Sequence, residues 1–382
     1  MTTMQQIQVP KVLDIEAVER ELAVLWTNSV DQQTDEAGAV MRARVANLMV
    51  ITSVESRLDN INATVHDLSA AHPCRALVIV TERDADDRDI ELFVSSFSHT
   101  EGARKRLSCE EIVLTARGKF VPELPSAALP LLVSDLPIFL WWQDRLEPED
   151  RTFSDFSRAA DRLIIDTAES DEPVETLLAL GRMLEIEQNE ELGISDINWA
   201  RLTSWRALVA GFYDPPDCKA ALEKIENVVI EYSAPAGAPS AVAPQSLLFA
   251  GWLISRLGWS LAKRPATRKG ESIEFQVSWN DRTISIELKR VARPDIRPGR
   301  LSRAQLNTAD NAATFVVSRH ESGLHLETEV TIQGASHPRR VLPVRNRSTA
   351  QLLGRELEIL CNDNIYTDAA RMAVNMIDLL PK

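Results

Sequence analysis

The start of the chain shows two patterns of hydrophobic positions, one typical of helices and one typical of buried strands. Apolar residues recur at helical spacing over 14–28, and Asp14 stands where it can cap that helix. Residues 45–52 and 74–80 form short apolar runs, and helical periodicity occupies 53–71 between them. A strand, a helix and a second strand in such close succession predict a βαβ unit with parallel strands.

Further apolar runs continue this pattern through the first part of the chain. Four more strands are predicted at 90–97, 109–118, 138–142 and 162–169. Residues 125–136 predict a short helix that ends before Pro137, and the polar segment 145–158 predicts a surface loop. We therefore expect an α/β domain with a mixed sheet over residues 1–170.

The rest of the chain mixes helices with alternating strands. Helices are predicted at 173–186, 199–212, 246–259, 348–360 and 367–380. Strands are predicted at 227–233, 273–279, 283–291, 313–319 and 324–332, several with the alternation of antiparallel sheets. The composition of 234–244 is typical of a linker. These elements predict an α+β domain with closing helices over residues 171–382.

The stretch that comes closest to a membrane span is LPLLVSDLPIFLWW, residues 129–142. Ser134, Asp135 and two prolines interrupt it, so it falls short of the ~18 to 20 apolar residues of a membrane helix. Its end predicts a core strand, on which the adjacent Trp141 and Trp142 point to opposite faces. Either one indole is an anchor for a partner, or the sheet is covered on both sides.

Charge is distributed unevenly along the chain. The formal net charge of −14 argues against nucleic-acid binding. Residues 256–347 reverse the balance, with 17 basic residues against nine acidic ones. The densest part, 289–303, is called the basic segment below, and its cations are Lys289, Arg290, Arg293, Arg297, Arg300 and Arg303. It is a candidate surface for an acidic partner or an anion, or alternatively a charged edge strand and loop that resists aggregation.

The motifs that usually carry catalysis and cofactor binding are missing from the sequence. The strand at 45–52 passes into its helix without a glycine-rich turn, and the chain has no phosphate-binding loop, nucleophile elbow or HExxH pair. We therefore predict no catalytic residue, no cofactor and no metal site. The most pointed local cluster is HPCR at 72–75, where Arg75 is either an anion ligand or the partner of a carboxylate such as Asp161 or Asp166.

The cysteines and the N-terminus bear on redox state and location. Cys74, Cys109, Cys218 and Cys361 are far apart, without a C-x-x-C pair or a Cys/His cluster at zinc spacing. We interpret them as reduced, mostly buried thiols, with a redox switch as the alternative. Residues 1–26 lack the basic start and apolar core of a secretory signal, so we expect a cytoplasmic protein.

Several segments taken together resemble one protein family. The order HPCRALVIV, LPLLVSDLPIFLWW and ADRLIIDTAE is similar to the N-terminal domain of the glucose-6-phosphate dehydrogenase assembly proteins, OpcA. SLLFAGWLISRLGW and LLGRELEIL…YTDAARMA resemble the C-terminal domain of that family, so the likeness extends from about Val45 to Ala373. The resemblance implies a non-catalytic partner that promotes oligomerisation and activation of glucose-6-phosphate dehydrogenase, in the NADPH-producing oxidative pentose phosphate pathway. It also implies redox regulation, with thioredoxin as a further candidate partner.

Three functions are compatible with this sequence. The first is an allosteric activator of the dehydrogenase, which would bind its active state more tightly than its inactive state. The second is a sugar-phosphate-binding enzyme or sensor that uses Arg75 and the basic segment. The third is a scaffold that assembles the oligomer without altering the turnover of each subunit. Neither nucleic acid nor a membrane is an expected partner.

Overall fold

The computed structural model describes residues 3–7, 14–31, 44–101, 105–185, 192–235, 242–309, 312–320, 323–344, 347–359 and 362–381. Contacts between residues divide the chain into two compact units. The first unit contains Met1–Ile165, Gln188–Ser195 and Arg347–Asn362. The second unit contains Asp166–Glu187, Asp196–Asn346 and Asp363–Lys382. The division is therefore not the single cut after residue 170 that the sequence predicted, because the chain returns twice to the first unit.

The first unit is built on an eight-stranded mixed sheet, as predicted. Its strands are β1 (Thr3–Ile7), β2 (Ala46–Thr52), β3 (Cys74–Glu82), β4 (Arg88–Glu101), β5 (Lys105–Arg117), β6 (Ile138–Trp142), β7 (Arg162–Ile165) and β8 (Gly193–Asp196). Their order is β1-β4-β5-β3-β2-β6-β7-β8. Strands β5, β3, β2, β6 and β7 are parallel, and β4 pairs antiparallel with β5. The order of the parallel strands is that of a doubly wound α/β sheet, with its switch point at β2.

Helices complete the first unit. They are α1 (Ile15–Asp31), α2 (Leu58–Ser69), α3 (Leu124–Ala128), α4 (Arg151–Ala159) and α10 (Thr349–Leu357). The prediction of a loop over 145–158 is wrong from residue 151 onward, because α4 begins there. Asp150 caps this helix by accepting a hydrogen bond from the Phe153 amide. The side chains of Phe153 and Phe156 are buried, which explains why this polar segment folds as a helix.

Helix α10 also differs from its prediction, since it was assigned to the C-terminal domain. It contacts α2 of the first unit. Gly354 permits this approach, because a Cβ at that position would lie 2.7 Å from Nε2 of His72. A capping box at Ser348 and Gln351 begins the helix.

The second unit is built on a ten-stranded sheet. Its strands are β9 (Ile225–Ser233), β10 (Ser260–Leu261), β11 (Thr267–Lys269), β12 (Ser272–Trp279), β13 (Arg282–Val291), β14 (Leu301–Thr308), β15 (Ala313–Arg319), β16 (His325–Ile332), β17 (Ala335–Ser336) and β18 (Val341–Pro343). The main order is β10-β12-β13-β9-β14-β15-β16-β17, with β11 beside β12 and β18 beside β16. Among the described strands of this sheet, neighbours run antiparallel except β13 with β9.

Helices of the second unit include α5 (Pro173–Met183), α6 (Ile197–Ala200), α7 (Thr203–Ala210), α8 (Pro216–Leu222), α9 (Pro244–Leu257) and α11 (Asn364–Ile377). Helix α9 contacts both α11 and the sheet. Gly251 makes this packing possible, because a Cβ there would lie 2.4 Å from the Ala369 carbonyl oxygen. Among the described residues, none of the helices is long and apolar enough to cross a membrane.

Candidate functional site

The sheet of the second unit has two chemically different faces. Cross-strand neighbours Ile286, Val228, Leu306 and Phe315 are buried, and Phe315 packs on Phe212 with ring centroids 5.4 Å apart. The alternate positions form the other face, which is called the open face below. Its members on the five central strands are Ser285, Glu287, Lys289, Asn227, Val229, Glu231, Arg303, Gln305, Asn307, Thr314, Val316, Ser318, Glu327, Glu329 and Thr331. Most of them are polar and half-buried, which is typical of a sheet face without a covering layer.

Two cations of the basic segment lie on the open face. Lys289 and Arg303 are both register neighbours of Glu231, and Nζ of Lys289 lies 3.4 Å from Oε1 of Glu231. Strand β14, which carries Arg303, lies between β9 and β15 inside the sheet. Strand β13, which carries Lys289, likewise lies between β12 and β9, so the interpretation of this segment as an edge strand is wrong for both 289–291 and 301–303.

The loop part of the basic segment is largely neutralised. Arg293 donates to both carboxylate oxygens of Asp295, at 2.9 and 2.7 Å, and this contact lowers the pKa of Asp295. Arg297 and Arg300 both reach Oε1 of Glu169, at 3.1 and 3.3 Å. Arg290 lies 3.5 Å from Glu271. The segment is consequently less positive in the folded protein than its sequence indicates.

A buried polar network lies beneath this loop. Asp196 caps α6 and accepts hydrogen bonds from the Thr167 amide and hydroxyl and from the Asn198 amide. The side-chain amide oxygen of Asn198, Oδ1, in turn accepts hydrogen bonds from the side chains of Gln245 and Arg300. Burial, and then the charge of Asp166, raise the pKa of Asp196 to about 7. Sequence reasoning missed this network, because its members are spread from 166 to 300 with no common motif.

Arg75 is buried within the first unit. Its guanidinium donates to Oε2 of Glu110 at 2.9 and 2.8 Å, to both carboxylate oxygens of Glu19 at 2.5 and 3.2 Å, and to the Leu131 carbonyl oxygen. Its partners are thus Glu110 and Glu19 rather than Asp161 or Asp166. Since these contacts engage its donors, an anion would have to displace an internal carboxylate.

Both tryptophans of β6 are buried. Trp141 is 2% exposed and Trp142 is 5% exposed. The Trp142 ring packs edge-on against Phe153 of α4, at 4.9 Å, and its indole nitrogen donates to the Arg145 carbonyl oxygen. The sheet is therefore covered on both sides at β6, and neither indole presents the exposed surface that a partner anchor needs.

The carboxyl ends of β2, β3 and β6 border a crevice of about 560 Å³. Trp142 and Ser53 lie in its wall, together with five carboxylate and two arginine side chains. Asp144 accepts hydrogen bonds from Ser53 and from its neighbour's amide, both at 2.7 Å. In doubly wound sheets this switch point is the usual position of a dinucleotide.

The crevice does not fit a dinucleotide. The turn after β2 reads SVESRL, and an extended Val54 and a 3-10 turn at Glu55–Arg57 replace the glycine-rich turn that lets a pyrophosphate approach the backbone. Glu82 ends β3 where a ribose-binding acid is often found, but Arg117 holds its carboxylate. The excess of carboxylates would repel phosphate groups.

Two thiols meet in the core of the first unit. Sγ of Cys74 and Sγ of Cys109 lie 3.7 Å apart, and Cys109 donates to the Cys74 carbonyl oxygen at 2.7 Å. The contact with Cys74 and then burial raise the pKa of Cys109 well above its ordinary value. Cys218 is also buried, as predicted for these thiols, and Cys361 lies outside the described residues.

Two family models match the chain, and both describe a glucose-6-phosphate dehydrogenase subunit. Residues 65–182 match the model of its N-terminal domain, and residues 192–370 match the model of its C-terminal domain. Together the two matches cover most of the chain.

Whole-chain relatives agree with this. Two relatives are proteins named OpcA, with a proposed role in the OxPP cycle. This chain is 26% identical to the protein from Nostoc punctiforme over 326 residues and 26% identical to the protein from Synechocystis over 324 residues. Each alignment covers 82% of this chain, and it covers 67% and 65% of the two relatives. The chain thus spans about two thirds of the length of these relatives.

A solved structure shares the fold. It is a 3-ketoreductase from Actinomadura kijaniata in complex with TDP-benzene and NADP, with a TM-score of 0.51 and 9% sequence identity. The match covers 88% of this chain and 98% of that enzyme. At this identity the likeness concerns the fold alone.

Proposed function

Since the chain belongs to the glucose-6-phosphate dehydrogenase assembly protein family, we propose that it binds a glucose-6-phosphate dehydrogenase and promotes its active oligomer. In this proposal the protein is an allosteric activator without an active site of its own. Its contribution is to bind the active state of the enzyme more tightly, and about 1.4 kcal/mol of preference suffices for a tenfold population shift.

The open face is the surface that supports this proposal best. Five strands at ~4.8 Å spacing and about eight residues at ~3.3 Å each give a face of roughly 24 by 26 Å, or about 630 Å². A standard protein interface buries about 800 Å² on each partner. The face therefore supplies most of the area that a standard interface buries on one partner.

The charge pattern of the open face suits a specific partner. Lys289, Glu231 and Arg303 form an alternating row across three strands. Such a row fixes the register of a complementary surface and affects the association rate more than the affinity. The basic segment takes part through Lys289 and Arg303, while Arg297, whose side chain is 77% exposed, is the alternative contact in the loop.

The first experiment titrates the cognate dehydrogenase with the full chain. We expect a saturable rise in glucose 6-phosphate oxidation and a heavier species by size-exclusion chromatography with light scattering. A heavier species without a change in turnover per enzyme protomer would favour the scaffold. Absence of both a complex and a rise in activity would refute the proposal for that enzyme.

Two charge-reversal variants then locate the surface. Lys289→Glu with Arg303→Glu should weaken association at least tenfold if the open face binds. Arg293→Glu, Arg297→Glu and Arg300→Glu together should weaken it and flatten its salt dependence if the loop binds instead. Unchanged binding in both variants would exclude the basic segment from the interface.

The sugar-phosphate alternative has less support. Arg75 is engaged by Glu110 and Glu19, and the switch-point crevice is lined mainly by acids. Calorimetry with glucose 6-phosphate and 6-phosphogluconate tests this alternative directly. A measurable heat of binding for either compound would support it.

Redox regulation by thioredoxin remains a proposal that rests on the family. The described thiols that lie close enough to pair are Cys74 and Cys109, and both are buried. If regulation uses this pair, oxidation of the full chain with diamide should change dehydrogenase activation, and Cys109→Ser should abolish that change.

A further inference from the structure

Three side chains of different metal-binding types meet at the edge of the second unit. Asp217 and Cys218 lie in the first turn of α8, and His337 follows β17. One ligand atom from each residue lies within 4.8 Å of the other two, and Oδ2 of Asp217 lies 3.8 Å from Nε2 of His337. We propose that Asp217, Cys218 and His337 form a binding site for a divalent transition metal of the zinc type.

The donor set selects the class of metal. A thiolate, an imidazole and a carboxylate suit zinc and its neighbours, whereas calcium and magnesium prefer oxygen ligands alone. Bonds of about 2.0–2.3 Å in a tetrahedral site place the ligand atoms roughly 3.3–3.8 Å from one another. The pair formed by Asp217 and His337 is already at this separation, so a small rotation of the side chains closes the site.

Burial gives the site an inner and an outer side. Cys218 is buried, His337 is half-buried and Asp217 is exposed, so a metal ion can enter from solvent and reach the thiol. Three protein ligands leave a fourth position for water, as in open zinc sites.

The surrounding charges leave the three ligands available. The Arg340 guanidinium lies 3.7 Å from Asp214 and donates to the Gly211 carbonyl oxygen at 3.2 Å. Burial and then the charge of Asp217 raise the pKa of Cys218, while Arg340 lowers it. A metal ion binds the thiolate form of cysteine, so metal binding releases the thiol proton.

Sequence spacing gives no sign of this site, which explains why none was predicted. Cys218 lies on α8 and His337 follows β17, and these two segments are far apart along the chain. A bound ion would join these two segments and so stabilise the folded state by its binding free energy.

The test uses Co²⁺ as a spectroscopic probe of the full chain after treatment with a chelator. We expect one Co²⁺ per chain, a thiolate-to-cobalt charge-transfer band, and displacement of Co²⁺ by Zn²⁺. Cys218→Ser should lose the band. His337→Gln should weaken binding more than 100-fold, because even residues behind the ligands contribute about 10- to 100-fold.

Matched controls are Cys74→Ser, which removes a buried thiol of the first unit, and His325→Gln, which removes an exposed histidine of the second. Both should bind Co²⁺ as the unaltered chain does. The unaltered chain alone can overturn the proposal, irrespective of how the variants fold. If the unaltered chain binds no Co²⁺, or gives a Co²⁺ spectrum without a thiolate band, the proposal is wrong. A thiolate band that persists in Cys218→Ser would also contradict it.

Discussion

The two sheets of this protein differ in the number of faces that are covered. Every residue of β2 and β7 is buried, and β3 and β6 each have a single half-buried end residue. In β9, β13 and β16, buried positions alternate with half-buried or exposed ones. The central strands of the first sheet are therefore covered on both sides, whereas the second sheet presents a surface that other molecules can contact.

This difference separates stability from recognition. A fully buried sheet can change little without leaving cavities or unpaired polar groups. In a sheet with one covered face, the buried side chains of that face provide the stability. Residues on the other face can therefore be substituted at little cost to folding. We therefore expect substitutions in the first sheet to affect folding, and substitutions on the open face to affect the complex.

The largest expected effect is that of Phe139→Ala in β6. The side chain is fully buried, so its removal should lower the free energy of unfolding by about 3–5 kcal/mol. Val229→Ala on the open face is the matched control and should cost less than about 1 kcal/mol. Urea denaturation of both variants measures the contrast, and similar costs would contradict the distinction between the sheets.

The second effect is a pH dependence of the free energy of unfolding, which arises from Glu111 in β5. Burial raises the pKa of this carboxyl to about 7, although it accepts a hydrogen bond from Ser95 at 2.8 Å. The neutral form is favoured in the folded state, so its stabilisation is complete below the ordinary value of 4.5 and is lost as pH rises through 7. Glu111→Gln should thus be more stable than the unaltered chain at pH ~8, by up to about 3 kcal/mol.

This gain should disappear below the ordinary value of 4.5, where the unaltered residue becomes neutral in both states. Urea denaturation across this pH range gives the measurement. Asp155→Asn, at the surface of α4, is the matched control for replacing a carboxyl group by an amide. A constant difference between Glu111→Gln and the unaltered chain would show that Glu111 ionises normally.

The smallest expected effect concerns the ion pair on the open face. Lys289→Gln removes the contact with Glu231, and since the lysine side chain is 43% exposed, the free energy of unfolding should change by less than about 0.5 kcal/mol. The dehydrogenase complex should nevertheless weaken if the open face binds. A large loss of stability would mean that this face contributes to the core.

Much of the first sheet could be predicted, because its strands are short apolar runs that neighbouring residues in the sequence are enough to identify. The βαβ unit formed by β2, α2 and β3 is one example. Helix α4 was missed although Asp150, Phe153 and Phe156 have the spacing of a cap and a buried stripe, since the polar residues around them suggested a loop. Strand β14 was missed because its outward positions, such as Arg303 and Gln305, belong to a polar face.

The candidate sites were harder to predict, because they depend on contacts between distant segments. Glu19 and Glu110 approach Arg75 from a helix and a neighbouring strand, and no spacing in the sequence indicates this. The open face emerges from the register of five strands. The cluster at Asp217 requires a residue from beyond position 330.

The two returns of the chain to the first unit have a consequence for synthesis on the ribosome. Strand β8 follows the first segment of the second unit and helix α10 follows the whole sheet of that unit, yet both belong to the first unit. While the ribosome translates Asp166–Glu187, the nascent first unit has an unpaired edge at β7, and until α10 is made it has an uncovered surface on α2. The first unit therefore cannot finish folding at the end of its own first segment, and it becomes fully stable only after the sheet of the second unit has been translated.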